Sequence, residues 1–213
     1  LHKAIRRQRQ MCIRDRDKYP LKGIVWYQGE SNAHNKEAHE KLFKLLVDSW
    51  RSNWDEPDLP FYYVQLSSID RPSWTWFRDS QRRLMKCVSN TGMVVSSDQG
   101  DSLDVHPANK KPIGERLAYW ALNRTYGHEN VLPSGPLFRC AEFKNGAVYV
   151  SFDYGDGLGS VDEALLCSFE VAEEDGVYEL ATAVVEDDCL KVYNTNIKTV
   201  SYTHLTLPTN SLV

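Results

Sequence analysis

Between residues 22 and 126 the sequence alternates short apolar runs with longer amphipathic segments, and this alternation restricts the fold more than any other feature. The apolar runs are 23–27, 61–66 and 93–96, and the segments with helical periodicity are 35–51, 76–89 and 111–126. Strands that alternate with helices are typical of an α/β layer fold, whose short apolar strands form a parallel sheet buried on both faces. We therefore predict a three-layer αβα domain.

Apolar residues at spacings of three and four predict the buried face of each helix. These residues are Leu42, Leu45, Leu46, Ser49 and Trp50 in the first helix, Phe77, Leu84 and Val88 in the second, and Ile113, Leu117, Trp120 and Ala121 in the third.

After residue 126 the pattern changes. Residues 131–136 read as a linker, and β-like runs at 147–152, 164–171, 181–186 and 189–193 follow, separated by Asp/Gly turns. We predict a domain over 17–130 and a β-rich appendage over 137–199.

The two ends of the sequence are related at the DNA level. Met11 to Asp15 can be back-translated as ATG TGT ATA AGA GAC, whose reverse complement encodes Val-Ser-Tyr-Thr-His, the sequence of Val200 to His204. An inverted repeat of this kind is what a ligated or transposed adapter leaves, and a chance match under codon degeneracy is the alternative. We expect residues 1–16 and 200–213 to be non-native, and residues 17–199 to be a gene fragment that is open at both ends.

The charge of that fragment excludes some classes of partner. Residues 1–16 hold six of the 25 basic and one of the 29 acidic residues, so residues 17–199 carry 19 basic and 28 acidic residues and a formal charge of −9. An acidic chain lacks the Lys/Arg excess that attracts nucleic acid or anionic membranes. No run of about 20 apolar residues predicts a membrane span, and no CxxC spacing or His pattern predicts structural zinc.

The polar loop 98–109 follows a predicted strand and precedes a helix, which places it at the edge where open α/β sheets bind ligands. In an extended backbone Asp104 and His106 project to the same side, and Pro107 favours that conformation for His106. The carboxylate could then accept a hydrogen bond from Nδ1–H and leave Nε2 as a base. The alternative is an aspartate that forms a local turn beside a surface histidine.

A second candidate lies at the turn between the first strand and the first helix. Backbone N–H groups there, with the amides of Gln28 or Asn32, could form an oxyanion hole. Alternatively, Ser31 or Asn32 caps the helix. Glu30 is either a surface carboxylate or a buried hydrogen-bonding group. Gly29-x-Ser31-x-Ala33 is also similar to a nucleophile elbow, which leaves an α/β-hydrolase-type esterase with Ser31 as nucleophile as an alternative.

Several motifs in order carry a family resemblance: GIVWYQGESNA, DLPFYYVQL, FRDSQRR, NTGMVVSSDQGD and DVHPANKKPIGERLA. Over residues 21–126 the chain resembles the sialate O-acetylesterase family of the SGNH-hydrolase superfamily, and the β-rich runs are similar to the segment that follows the catalytic region of its members. The resemblance implies an SGNH/flavodoxin-like sheet, incomplete at its N-terminus, and deacetylation of sugars or sialic acids.

The resemblance also assigns site residues. The Asp and His of the family's DxHP motif complete a catalytic triad, which implies these roles for Asp104 and His106. The QGESN turn, Gln28, Gly29, Glu30, Ser31 and Asn32, faces the same site. The family nucleophile is the serine of an earlier GQSN motif that is absent from this sequence, so the fragment is expected to be inactive. The resemblance implies no metal or organic cofactor, and a secreted or periplasmic location.

A non-catalytic carbohydrate-binding protein is the remaining alternative. In it the aromatic-rich loop 71–76 stacks on sugar rings through Trp74 and Trp76. The competing interpretation is that both tryptophans are packing residues.

Overall fold

In a computed structural model of the chain, the described residues are 19–160, 166–173, 176–186 and 188–196. They belong to two compact units that meet in sequence between Val131 and Leu132. The two predicted non-native ends lie outside the described residues. Among those that are described, no helix is both long and apolar enough to cross a membrane.

The first unit contains a parallel sheet with the strand order β1-β2-β3. Its strands are β1 (Ile24–Trp26), β2 (Phe61–Val64) and β3 (Thr91–Val94). Its helices are α1 (Lys36–Trp54), α2 (Trp74–Cys87) and α3 (Lys111–Trp120), and a π-helical turn (Ala121–Thr125) ends α3. The predicted alternation of strands and helices is confirmed.

Helices cover both faces of this sheet, as predicted. On one face, Phe43 of α1 and Leu84 of α2 share a buried core with Phe61 of β2. On the other face, the indole of Trp120 in α3 stacks on Tyr62 at 6.2 Å between ring centroids and donates to the carbonyl of Met93 at 3.0 Å. The first unit therefore has three layers.

The predicted buried face of α1 is correct for Leu46 and Trp50, which are partly buried against the core, and wrong for Leu42, Leu45 and Ser49. The helix buries His39, Phe43, Val47 and Arg51, while Leu42 and Leu45 are exposed. Phe43 packs against the rings of Phe61 and Tyr63, with centroids 5.6 and 4.8 Å away. Neighbouring helical residues are about 100° apart, so the fit of this aromatic ring turns Leu42 and Leu45 toward solvent.

The expectation that every strand is buried on both faces also fails at β1. Ile24 is buried in the core, whereas the next residue, Val25, points to the opposite face and is exposed. Within the described sheet β1 pairs with β2 alone, and the helix on that face, α3, lies over β2 and β3.

The second unit is an antiparallel sheet with the strand order β4-β5-β8-β7-β6. Its strands are β4 (Leu137–Lys144), β5 (Ala147–Asp153), β6 (Leu166–Ala172), β7 (Tyr178–Glu186) and β8 (Cys189–Tyr193). Val150, Phe169 and Leu190 lie in its core. This unit confirms the predicted β-rich part and adds β4, which the sequence reading missed.

Candidate active site

The three strands of the parallel sheet end at one edge, and the segments that follow them carry most of the predicted site residues. Residues 27–33 follow β1, residues 65–73 follow β2, and residues 95–110 follow β3. In open α/β sheets this carboxyl edge is where ligands bind.

The structure brings Asp104 and His106 together in the loop after β3. Oδ1 of Asp104 lies 3.3 Å from Nδ1 of His106 and accepts the backbone N–H of His106 at 2.8 Å. Both side chains face solvent, with exposed fractions of 64% and 79%. The local turn that the alternative predicts is therefore present together with the contact between carboxylate and imidazole. Nε2 of His106 remains the nitrogen that could act as a base.

Packing below the loop fixes the segment between these two residues. Val105 packs on a buried cluster that also contacts Tyr27; we call it the floor cluster, and it comprises Ala33, Leu66, Trp74 and Phe77. Ser67 Oγ donates to the carbonyl of Val105 at 3.3 Å, and the indole of Trp74 donates to the carbonyl of Ser67 at 2.6 Å. The loop after β3 and the turn after β1 thus rest on the same cluster.

An ion pair holds the start of the same loop on α3. Arg116 Nη1 and Nη2 each lie 2.6 Å from one oxygen of Asp98, and Nη1 also donates to the carbonyl of Val95 at 2.8 Å. Sequence reasoning missed this pair. Its one signal is that Arg116 is three residues after Ile113, on the face of the helix that packs on the sheet.

Asp98→Asn should lower the free energy of unfolding by about 1.5–3 kcal/mol at neutral pH, because the charge-assisted bidentate contact is lost. The hydrogen bonds from Arg116 hold the pKa of the Asp98 carboxyl below its usual range. The unfolded carboxyl titrates near pH ~4, so the stabilisation is complete above that pH and is lost as the pH falls through the folded pKa.

Urea unfolding of the wild type and of Asp98→Asn between neutral pH and pH ~2.5 measures this difference. The two proteins should converge in acid. Asp101→Asn is the matched control, because within the described part of the chain Asp101 accepts only the backbone N–H of Leu103, and it should stay close to the wild type. A difference at Asp98 that persists unchanged in acid would refute the ion-pair explanation.

The turn after β1 depends on a glycine. Gly29 has φ 154°, which L-residues rarely adopt, and an added Cβ would lie 3.0 Å from the Phe77 ring. Its N–H donates to Oε2 of Glu30 at 3.0 Å. Glu30 is therefore a half-buried hydrogen-bonding group of the turn, and the Gly29 N–H is not available to an oxyanion.

Two amides remain as candidate donors. Asn32 donates one of its two amide N–H groups to Nδ1 of His39, at 3.3 Å between Nδ2 and Nδ1. The second N–H of Asn32 remains. The ring of His39 packs 4.6 Å from that of Phe77, and this burial lowers the pKa of His39 and so favours its neutral form. The amide of Gln28 is half-buried and makes no hydrogen bond with any described residue, which leaves it the more available donor.

Ser31 lies in a 3-10 turn, Glu30–Asn32, and is exposed. The predicted capping role of Ser31 or Asn32 is wrong, because α1 begins at Lys36 and Asn35 caps it by accepting the Ala38 N–H at 3.0 Å. A nucleophile elbow puts the serine on a strained turn that leads directly into the helix. Here Gly29 carries the unusual φ, and four residues separate Ser31 from α1.

The two tryptophans of the aromatic-rich loop differ in burial. Trp74 is buried in the floor cluster, as the packing interpretation predicts, whereas Trp76 is 45% exposed.

Among the residues described, no group of three or more His, Cys, Asp or Glu side chains is arranged to hold a metal ion.

Comparison with known proteins gives consistent matches. The family model described as carbohydrate esterase, sialic acid-specific acetylesterase, matches residues 2–123. Mouse sialate O-acetylesterase is 31% identical over 157 residues, which cover 62% of this chain and 29% of that protein. The human sialate O-acetylesterase is 32% identical over 139 residues, covering 55% and 27%. The chain thus spans less than a third of the length of these relatives.

A solved structure extends the similarity to the fold of most of the chain. The crystal structure of a carbohydrate acetylesterase from Xanthomonas citri superposes with a TM-score of 0.80 at 30% identity, covering 87% of this chain and 45% of that one. The family match begins at residue 2, inside the segment predicted to be non-native. The origin of residues 1–16 stays a prediction.

Proposed function

Because the chain belongs to the sialic acid-specific acetylesterase family of carbohydrate esterases, we propose that it supplies the acid–base part of a serine-type O-acetylesterase active site. The observation that carries this proposal is the contact between Asp104 Oδ1 and His106 Nδ1 at the carboxyl edge of the sheet. The names of the relatives support O-acetylated sugars, sialic acids among them, as substrates.

The proposed reaction begins when a serine Oγ attacks the acetyl carbonyl. Nε2 of His106 takes the hydroxyl proton, and Asp104 holds the imidazole in the tautomer that allows this and stabilises the cation that forms. The amide of Gln28, assisted by the second N–H of Asn32, donates to the oxyanion of the tetrahedral intermediate. His106 then returns the proton to the departing sugar oxygen, and water releases acetate from the acyl-serine by the same steps.

The nucleophile of this scheme comes from sequence N-terminal to the chain. The GQSN motif that the resemblance associates with the nucleophile does not occur in the 213 residues, and the exposed 3-10 turn at Ser31 lacks the geometry of an elbow. The chain alone is therefore inactive in this proposal. Secretion or a periplasmic location belongs to the same proposal, because acetylated glycans are met there.

Acetate release tests the proposed function. The extended enzyme, meaning residues 17–199 preceded by the upstream sequence of their gene, should release acetate from an O-acetylated sialic acid or an acetylated neutral sugar. The 213-residue chain should release none above the uncatalysed rate. A folded extended enzyme that deacetylates neither sugar would refute the proposed function. Activity of the 213-residue chain would refute the claim that the nucleophile lies outside it.

A further inference from the structure

The exposed tryptophan at the site edge has a cationic neighbour. Trp76 lies in the first turn of α2, directly after the β2 loop, and Lys36 is the first residue of α1, which follows the β1 turn. Nζ of Lys36 lies 5.4 Å from the centroid of the Trp76 ring. The two helices run side by side, joined further along by the ion pair of Arg83 with Glu40 at 3.2 Å. The pair is thus built from two elements that both start at the candidate active site.

Cations recur along this edge. Besides Lys36 on Trp76, Arg71 lies 5.6 Å from the ring of Trp74, and Lys110 lies 5.8 Å from the ring of Tyr27. These side chains come from the segments before α2 and α3, so they rim the same edge. The chain as a whole carries a formal charge of −4. The same edge also carries the acidic residues Glu30, Asp101 and Asp104. Its net charge therefore does not set the sign of a ligand, and the case for a ligand with negative charge rests on Lys36 itself.

The ammonium group of Lys36 has no close counter-ion in the described chain. Its one ion pair with a described residue is with Glu37, at 4.0 Å, and the Glu37 side chain is itself exposed. An exposed pair at that distance contributes little. The ammonium can therefore exchange this partner for the carboxylate of a ligand.

We propose that Trp76 and Lys36 form a subsite for the carboxylate-bearing ring of a sialic acid. The exposed part of the indole lies against the C–H groups of the pyranose, and the Lys36 ammonium pairs with the carboxylate. This inference rests on the proposed function and deepens it, because it makes the acid group of the sugar a determinant of specificity. A neutral acetylated sugar would keep the stacking contact and lose the ion pair.

Binding of an unreactive sialoside to the 213-residue chain tests the subsite without any need for the nucleophile. The probe is the methyl α-glycoside of N-acetylneuraminic acid, titrated while the indole N–H signals of the six tryptophans are followed by NMR. Trp76→Ala and Lys36→Met should each raise Kd about tenfold, the size expected for a partly desolvated cation–π or ion-pair contact. Lys44→Met, on an exposed lysine further along α1, is the matched control and should leave Kd unchanged.

The carboxamide analogue of the same glycoside separates charge from shape. It should bind the wild type about tenfold more weakly than the acid does, and this preference should disappear in Lys36→Met. The subsite is refuted if the wild type does not bind the acid, if Trp76→Ala binds it as the wild type does, or if acid and amide bind equally. Acetate release by the extended enzyme is measured separately, so the subsite can fail while the esterase proposal stands.

Discussion

His106→Ala in the extended enzyme is expected to lower kcat/KM for an aryl acetate by about 10⁴- to 10⁶-fold. In the proposed mechanism the imidazole is the group that takes the serine proton and returns it to the leaving oxygen, so its removal stops both steps. The exposed fraction of His106 is 79%, so its removal should leave the free energy of unfolding within about 0.5 kcal/mol of the wild type. Initial rates at saturating and limiting ester, with urea unfolding of both proteins, measure the two effects.

A second variant, Asp104→Asn, tests the role of the carboxylate beside His106. The amide oxygen can still accept the backbone N–H of His106, but the negative charge beside Nδ1 is gone, so kcat should fall by about 10³- to 10⁴-fold. Asp101→Asn is the control, because Asp101 makes the same kind of local turn two residues before Leu103 without a histidine, and its activity should be unchanged. A His106→Ala enzyme within tenfold of the wild-type rate would remove His106 from the mechanism.

Gly92→Ala is expected to destabilise the first unit by about 3 kcal/mol, because the position has no room for a side chain. A Cβ at Gly92 would lie 2.5 Å from Cδ2 and 2.6 Å from Cε3 of Trp120. Trp120 is buried and held by its hydrogen bond to Met93, so its ring can move only if α3 moves away from the sheet. Because α3 carries Arg116, that movement would also disturb the loop of Asp98 and His106.

Helix α3 contains a glycine that serves as the control. An added Cβ at Gly114 meets no atom within 4 Å, so Gly114→Ala should stabilise the protein by up to about 1 kcal/mol through helix propensity. Urea unfolding of both variants measures the contrast. Equal stability of Gly92→Ala and the wild type would show that α3 does not pack on β3 as described.

The sequence-based predictions were most accurate for features that depend on residues close together in the chain. Apolar runs located β1, β2 and β3, and the Asp104–His106 pair was predictable because two residues so close in sequence need only a particular local backbone. The pair of Asp98 and Arg116 was not, because it forms only when α3 packs on the sheet. The alternative that Ser31 or Asn32 caps α1 is wrong, because both residues lie in the 3-10 turn before the helix and Asn35 is its cap.

Two other errors have physical causes. Leu42 and Leu45 of α1 have the spacing of a buried stripe but are exposed, because the helix turns Phe43 to the core, where its ring fits between Phe61 and Tyr63. Strand β4 was missed because its register shifts between Phe138 and Cys140. Such a shift interrupts the alternation by which a half-buried strand is recognised.

Labelling of the extended enzyme by a serine-reactive organophosphonate, followed by peptide mass spectrometry, tests the central claim most directly. In the proposed mechanism the chain provides the base and its orienting acid, and the nucleophile precedes it. One adduct is therefore expected, on a serine N-terminal to residue 17, and it should be lost in His106→Ala. An adduct on Ser31, or labelling that does not depend on His106, would contradict the account.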